Sequence, residues 1–169
     1  MRLIPIAAMA FAIAHVAFEH VNGGVKTHHF LARQDLPGFS NWLGMIVLPL
    51  LAAILSVRIR RMSQADRPRD LPRSVALPFA GALLYGAVLA ASFHFGASQI
   101  SLIAFAGLFP CALALPVYRA EYILGFVVGM TATFGSVIPS VFALVFAALS
   151  FIARRVFRLL ISACRSRGA

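Results

Sequence analysis

The chain has 169 residues, 61% of them hydrophobic and only 12% charged, with a mean hydropathy of +0.90. A soluble domain carries about 25% charged residues, so this composition excludes an ordinary soluble fold, and the spread of apolar runs along the whole chain excludes intrinsic disorder. The formal net charge of +10 rests on fourteen arginines and one lysine against five acids, and because those arginines flank apolar runs they read as topology signals facing anionic lipid, so no nucleic-acid partner is expected.

A membrane-spanning helix needs about 20 mostly apolar residues. Leu3–Val21 meets that need, interrupted only by His15, Glu19 and His20. Its start resembles a short secretory signal, with Ala12-Ile13-Ala14 as a cleavage-like motif, but the apolar run continues to Val21, so a first span is expected. Residues 22–40 read as a polar outer loop holding Lys26, His28, His29, Arg33, Asp35 and Pro37. Gly23-Gly24 marks a sharp turn that brings this loop back over the helix ends. Arg33, Asp35 and Pro37 are expected to brace the loop. Ser40 or Asn41 can cap a second span, Trp42–Val57, with Trp42 as an interfacial anchor.

Residues 58–74 carry six arginines with Pro68 and Pro72 and read as a cytoplasmic linker. From Val75 to Ile152 the chain is apolar, and four spans fit if the breaks are tight: Val75–Phe95, Ile100–Val117, Tyr122–Thr133 and Val137–Ile152. Pro78 and Pro139 are expected in first turns, where proline is tolerated, and Pro49 and Pro110 at mid-span kinks. Arg119 and Glu121 read as a boundary ion pair. Gly86-x-x-x-Ala90 and Gly125-x-x-x-Gly129 are small-residue pairs that permit close helix approach, within the chain or in a homo-oligomer. Residues 154–169 form an Arg-rich cytoplasmic tail. Cys111 and Cys164 fall at different depths, so no disulfide is expected.

With six spans, thirteen of the fifteen basic residues fall on one side, leaving Lys26 and Arg33 opposite; with five, the five-arginine tail would have to cross, against the positive-inside rule. The expected fold is an all-α integral membrane protein, residues 1–169 forming one domain of about six transmembrane helices in a compact bundle with both termini cytoplasmic. The expected location is the bacterial inner (plasma) membrane.

This topology sends all five histidines to the non-cytoplasmic end: His15 and His20 late in the first helix, His28 and His29 in the outer loop, and His94 at the end of the third helix. His15 and Glu19, at i and i+4, share a helix face, whereas His20 is turned about 100° from Glu19. Ionisable residues at membrane depth are costly and point to function. Imidazole with carboxylate is a ligand set for a transition metal (zinc, iron or copper), so His15, Glu19, His28, His29 and His94 are candidate metal ligands, with Glu19 and His20 as candidate catalytic groups. Haem held by His15 and His94 is the lesser cofactor alternative. Ser92, Ser98, Gln99, Ser101, Thr131 and Thr133 can line a polar vestibule on the same side.

Three functions follow from these residues. The first is a membrane-embedded, metal-dependent enzyme acting on a lipid-soluble or small-molecule substrate. The second is a transporter or channel subunit that uses the same residues as an ion or proton site. The third is a partner-binding subunit whose polar cluster is structural. No phosphate-binding loop or Gly-x-Ser-x-Gly nucleophile motif is present.

Overall fold

The computed structural model describes residues 3–29, 35, 38–64 and 71–167. In chain order these form α1 (Leu3–Val21), β1 (Thr27–His29), β2 (Gly38–Ser40), a single 3-10 turn (Asn41–Leu43), α2 (Gly44–Gln64), α3 (Leu71–His94), α4 (Ser98–Ala114), α5 (Ala120–Phe134) and α6 (Val137–Arg167). Four helices are long and apolar enough to cross a membrane: α1, α2 with its preceding turn, α3 and α6. At 1.5 Å per residue, the 17 residues of α4 and the 15 of α5 reach about 25 Å and about 23 Å, against a hydrocarbon core of about 30 Å.

All six expected helices are present, and three of their boundaries moved in an informative way. The arginines expected in a linker are largely helical: α2 continues through Arg58, Arg60 and Arg61 to Gln64, and α3 already includes Arg73. Only residues 65–70 of that stretch lie outside the described set. Arginine is a good helix former whose long stem covers apolar surface, so leaving the apolar run does not end a helix. The same reason carries α6 to Arg167 through the expected tail. Because α3 begins at Leu71, Pro72 occupies its first turn, and Pro78 is an interior residue rather than a first-turn one.

The outer loop is also more ordered than expected. Gly23 and Gly24, at φ +110° and +104°, end α1 with the Gly24 N–H donating to the Glu19 carbonyl at 3.0 Å. The chain then forms an antiparallel hairpin pairing Thr27 with Ser40, His28 with Phe39 and His29 with Gly38. The Asn41 N–H donates to the Lys26 carbonyl at 3.1 Å, continuing the ladder into the 3-10 turn. Ser40 is the cap, its hydroxyl accepting from the Trp42 N–H, and Trp42 is exposed as an interfacial anchor would be.

Helices α3 and α5 make the closest packing in the bundle. The two small-residue pairs face one another: a Cβ on Gly125 would strike the Phe79 carbonyl, one on Gly129 the Leu83 carbonyl, and one on Gly86 the Phe126 carbonyl. Backbone contact of this kind replaces the hydrophobic effect, which is absent between helices in lipid. Leu48, Leu89, Ala90, Ala112, Val127 and Met130 fill the middle of the bundle, and Ala52, Leu55 and Leu124 form a second core nearer the Arg58 end.

The bundle has two polar ends. The hairpin end gathers the close of α1, α3 and α5 with the start of α2, α4 and α6. At the opposite end, Arg58 Nε of α2 lies 2.8 Å from Glu121 Oε2 of α5, and Arg119 Nε lies 4.0 Å from Oε1. Glu121 is fully buried, and its main partner is Arg58, 63 positions away, rather than the expected neighbour Arg119. Ser150 and Arg154 of α6 close the same end by donating to the Leu115 and Ala114 carbonyls.

Candidate functional site

The hairpin end holds a buried carboxylate. Ala12, Val16 and Glu19 recur at helical spacing and form the buried face of α1, so Glu19 is carried inward with the apolar residues and is only 5% exposed. Its oxygens are met by neutral donors. Asn41 Nδ2 donates to Oε1 at 2.7 Å, and the Lys26 backbone N–H donates to Oε2 at 3.3 Å. Both oxygens accept, which is the pattern that suits the anion.

Asn41 is the hub. It is 4% exposed, and the carboxylate at 2.7 Å fixes its amide so that nitrogen faces Glu19. The same nitrogen lies 3.3 Å from His28 Nε2. Since the amide nitrogen only donates, Nε2 must accept, which places the His28 proton on Nδ1 and leaves the ring neutral. Burial holds the His28 pKa below its ordinary 6.5; Glu19 opposes that shift, while Lys26 and His15 reinforce it. Gly135, the residue that ends α5, makes room for this arrangement. Its φ is +67°, and a Cβ there would collide with Asn41 Oδ1 and come within 3.2 Å of the His28 ring.

His15 completes the group. Its Nε2 lies 3.7 Å from Glu19 Oε1, beyond hydrogen-bond length, and is buried with no hydrogen-bond partner among the described residues. The ring stacks on Phe11, with centroids 6.4 Å apart. The sequence of contacts is thus His15, Glu19, Asn41, His28.

Of the expected site residues, His15, Glu19 and His28 come together. His20 does not: α1 stays helical through Val21, which holds the ring about 100° from Glu19 and exposed. His94 is the exposed last residue of α3, its ring set edge-on against Phe95 at 5.2 Å. The backbone of His29 lies in β1, and its side chain, like Arg33 and Pro37, falls outside the described residues. Among the described residues no three His, Cys, Asp or Glu side chains are grouped closely enough to hold a metal ion. The expected five-histidine cluster therefore reduces to two imidazoles flanking one carboxylate. Asn41 entered the sequence reading only as a cap candidate, and no spacing rule links it to Glu19, 22 positions earlier.

His28 also lines a cleft of about 900 Å³, together with Thr27, Ser92, Ser98, Ser101 and Thr133 among apolar residues of α3 to α6. Four of the six expected vestibule residues are in this wall. Thr131 is instead buried, donating to the Val127 carbonyl at 2.7 Å, and Gln99 is exposed outside the wall. Glu19 sits one layer behind His28.

Comparison with protein-family models, curated proteins and solved structures gives no match to this chain.

Proposed function

We propose that the chain is a six-span protein of the bacterial inner membrane, with both termini cytoplasmic, whose non-cytoplasmic end performs acid–base chemistry on a lipid-soluble substrate. The observation that carries this reading is the double position of His28, which lines the cleft on one side and is tied through Asn41 to the buried Glu19 on the other. In this scheme the substrate enters the cleft and His28 Nδ1–H orients its polar group. Glu19 with His15 forms the proton-exchanging pair behind it, shielded from bulk water. A carboxylate and an imidazole held in a low-dielectric pocket are the groups general acid–base catalysis requires. The layer between the two polar ends, built from Leu48, Ala52, Leu124 and Val127, favours a one-sided enzyme over a transporter that needs a polar path across.

His15 Nε2, without a hydrogen-bond partner among the described residues and beside Glu19 Oε1, favours a second reading, in which a zinc, iron or copper ion sits between them. Metal analysis of the purified protein decides this. A stoichiometric ion lost in both His15→Ala and Glu19→Ala would replace the metal-free scheme.

The main test is substrate trapping. Wild type and Glu19→Gln, purified in native lipid discs, are extracted and their bound lipids compared by mass spectrometry. The variant is expected to retain a species that wild type has converted, the two related as substrate and product. The same species in the same proportions on both proteins would overturn the catalytic reading.

A further inference from the structure

The cleft does not end at its polar wall. A second, apolar chamber of about 440 Å³ lies between α3, α4, α5 and α6 towards the Arg58 end, lined by Gly81, Tyr85, Cys111, Ile123 and Phe146 among others. Leu108 and Phe126 line both spaces, so the two lie on either side of the same pair of side chains. Each volume falls within the range of about 300–1,000 Å³ typical of small-molecule sites. We infer that cleft and chamber form one site for an uncharged, single-chain lipid alcohol, its hydroxyl at the hairpin end and its chain in the apolar chamber.

Three observations select this occupant. Histidine, serine and threonine side chains line the hairpin end, whereas the chamber is apolar apart from Tyr85, Cys111 and Tyr122, which orients an amphiphile with its head at the hairpin end. Among the described residues, none lining either chamber is Lys, Arg, Asp or Glu, so a phosphate or carboxylate head would find no counter-charge among them. The donor and acceptor pattern then favours a hydroxyl. Ser92 donates to the Leu89 carbonyl at 2.8 Å, and Ser101 donates to Ser92 Oγ or the Ala97 carbonyl. The Ser92 and Ser101 protons are thereby used within the protein, and the remaining lone pairs of these two hydroxyls can only accept. On the same wall Thr27, Ser98 and the His28 ring offer donors. A hydroxyl both donates and accepts, whereas a ketone or ester can only accept. The chamber's volume of about 440 Å³ is the ground for assigning it a single chain, and Tyr85 braces its α3–α4 wall by donating to the Ala104 carbonyl at 2.5 Å beside the small Gly107.

The inference deepens the proposed function by naming its substrate class, and it rests on that reading only through the shared His28. The test uses the full-length protein in lipid discs with tritiated geranylgeraniol as probe, and geranylgeranyl phosphate and geranylgeranoic acid as chain-matched competitors. Saturable binding of the alcohol is expected, with both anions weaker by roughly tenfold or more, as the loss of about one well-placed interaction and an uncompensated charge requires. Gly81→Phe should abolish binding of the long alcohol while geraniol, short enough for the upper cleft, still binds. A Cβ at Gly81 meets nothing within 4 Å, so the substitution starts from open space where Gly81 lines the chamber. Ser101→Ala should weaken the alcohol by roughly tenfold. Equal or tighter binding of the phosphate, or unchanged geranylgeraniol binding in Gly81→Phe, would overturn the assignment. Glu19→Gln should keep its affinity for the alcohol within about twofold, less than the loss of one hydrogen bond. Binding retained with no substrate trapped sinks the catalytic reading alone, and trapping of an anionic lipid sinks the alcohol alone.

Discussion

Glu19 and Glu121 are two buried carboxylates at opposite ends of one bundle, and their surroundings differ in kind. Glu121 sits in the first turn of α5, where the helix dipole favours negative charge, against Arg58 and Arg119. Glu19 sits in the last turn of α1, where the dipole opposes it, and among the described residues its hydrogen bonds come from an amide and a backbone N–H. A carboxylate facing arginine stays charged and fastens two helices. The other is held by an amide and a backbone N–H, with an imidazole nitrogen 3.7 Å away. The difference separates an ion-paired carboxylate from one met by neutral donors, although both residues are glutamates of similar burial.

The largest expected effect breaks the fastening. Arg58→Ala leaves Glu121 buried against a more distant cation, and thermal unfolding in lipid discs should show a loss of about 3–5 kcal/mol, as removal of one partner from a buried pair does. Adding Glu121→Leu should restore most of that loss. A single-variant loss below about 1 kcal/mol, the value of a surface pair, would erase the distinction between the two ends.

A smaller effect sharpens the other side. Asn41→Ala removes the donor shared by Glu19 and His28 and should cost about 1–3 kcal/mol. Asn41→Asp is the more telling variant, because it sets a second carboxylate against the first. Its stability should rise on acidification as one of the two takes up a proton, whereas the Asn41→Ala variant gains nothing of the kind. Identical pH profiles for the two would show that Asn41 does not touch a charged Glu19.

The smallest effect concerns His28. Its folded pKa lies below the unfolded value of 6.5, so the unfolded chain binds the proton first as pH falls. The stability contributed by the neutral ring is present above pH 6.5 and is lost as pH drops below it towards the folded pKa. Unfolding midpoints measured from pH 8 to pH 5 should therefore fall less steeply in His28→Gln than in the wild type.

The helices were legible in the chain because the membrane demands long apolar runs, and composition reports those directly. Leu3–Val21 was read with both ends correct, and the breaks at Gly96 and Gly135 separate helices as expected. Helix ends among arginines were not legible, because Arg58 and Arg154 continue a helix as readily as they leave one. The facing of Gly86 against Gly125 and Gly129 shows the same boundary of inference: each pair was visible, but their contact was not. At the site, His15 and Glu19 were readable from their i, i+4 spacing. His94 was included on topology alone, which fixes depth but not direction, and its ring turned outward.

By itself the sequence determined that the chain is built of long apolar helices and that His15 and Glu19 share a face of the first, since each depends on composition and period along one dimension. Only the tertiary structure decided that Asn41 bridges Glu19 to His28, and that Arg58 rather than Arg119 holds Glu121 most closely. Those pairings join residues 22, 13 and 63 positions apart, and they exist because a glycine-bounded hairpin and a close α3–α5 seam bring the helix ends within hydrogen-bond reach, a condition no local pattern encodes.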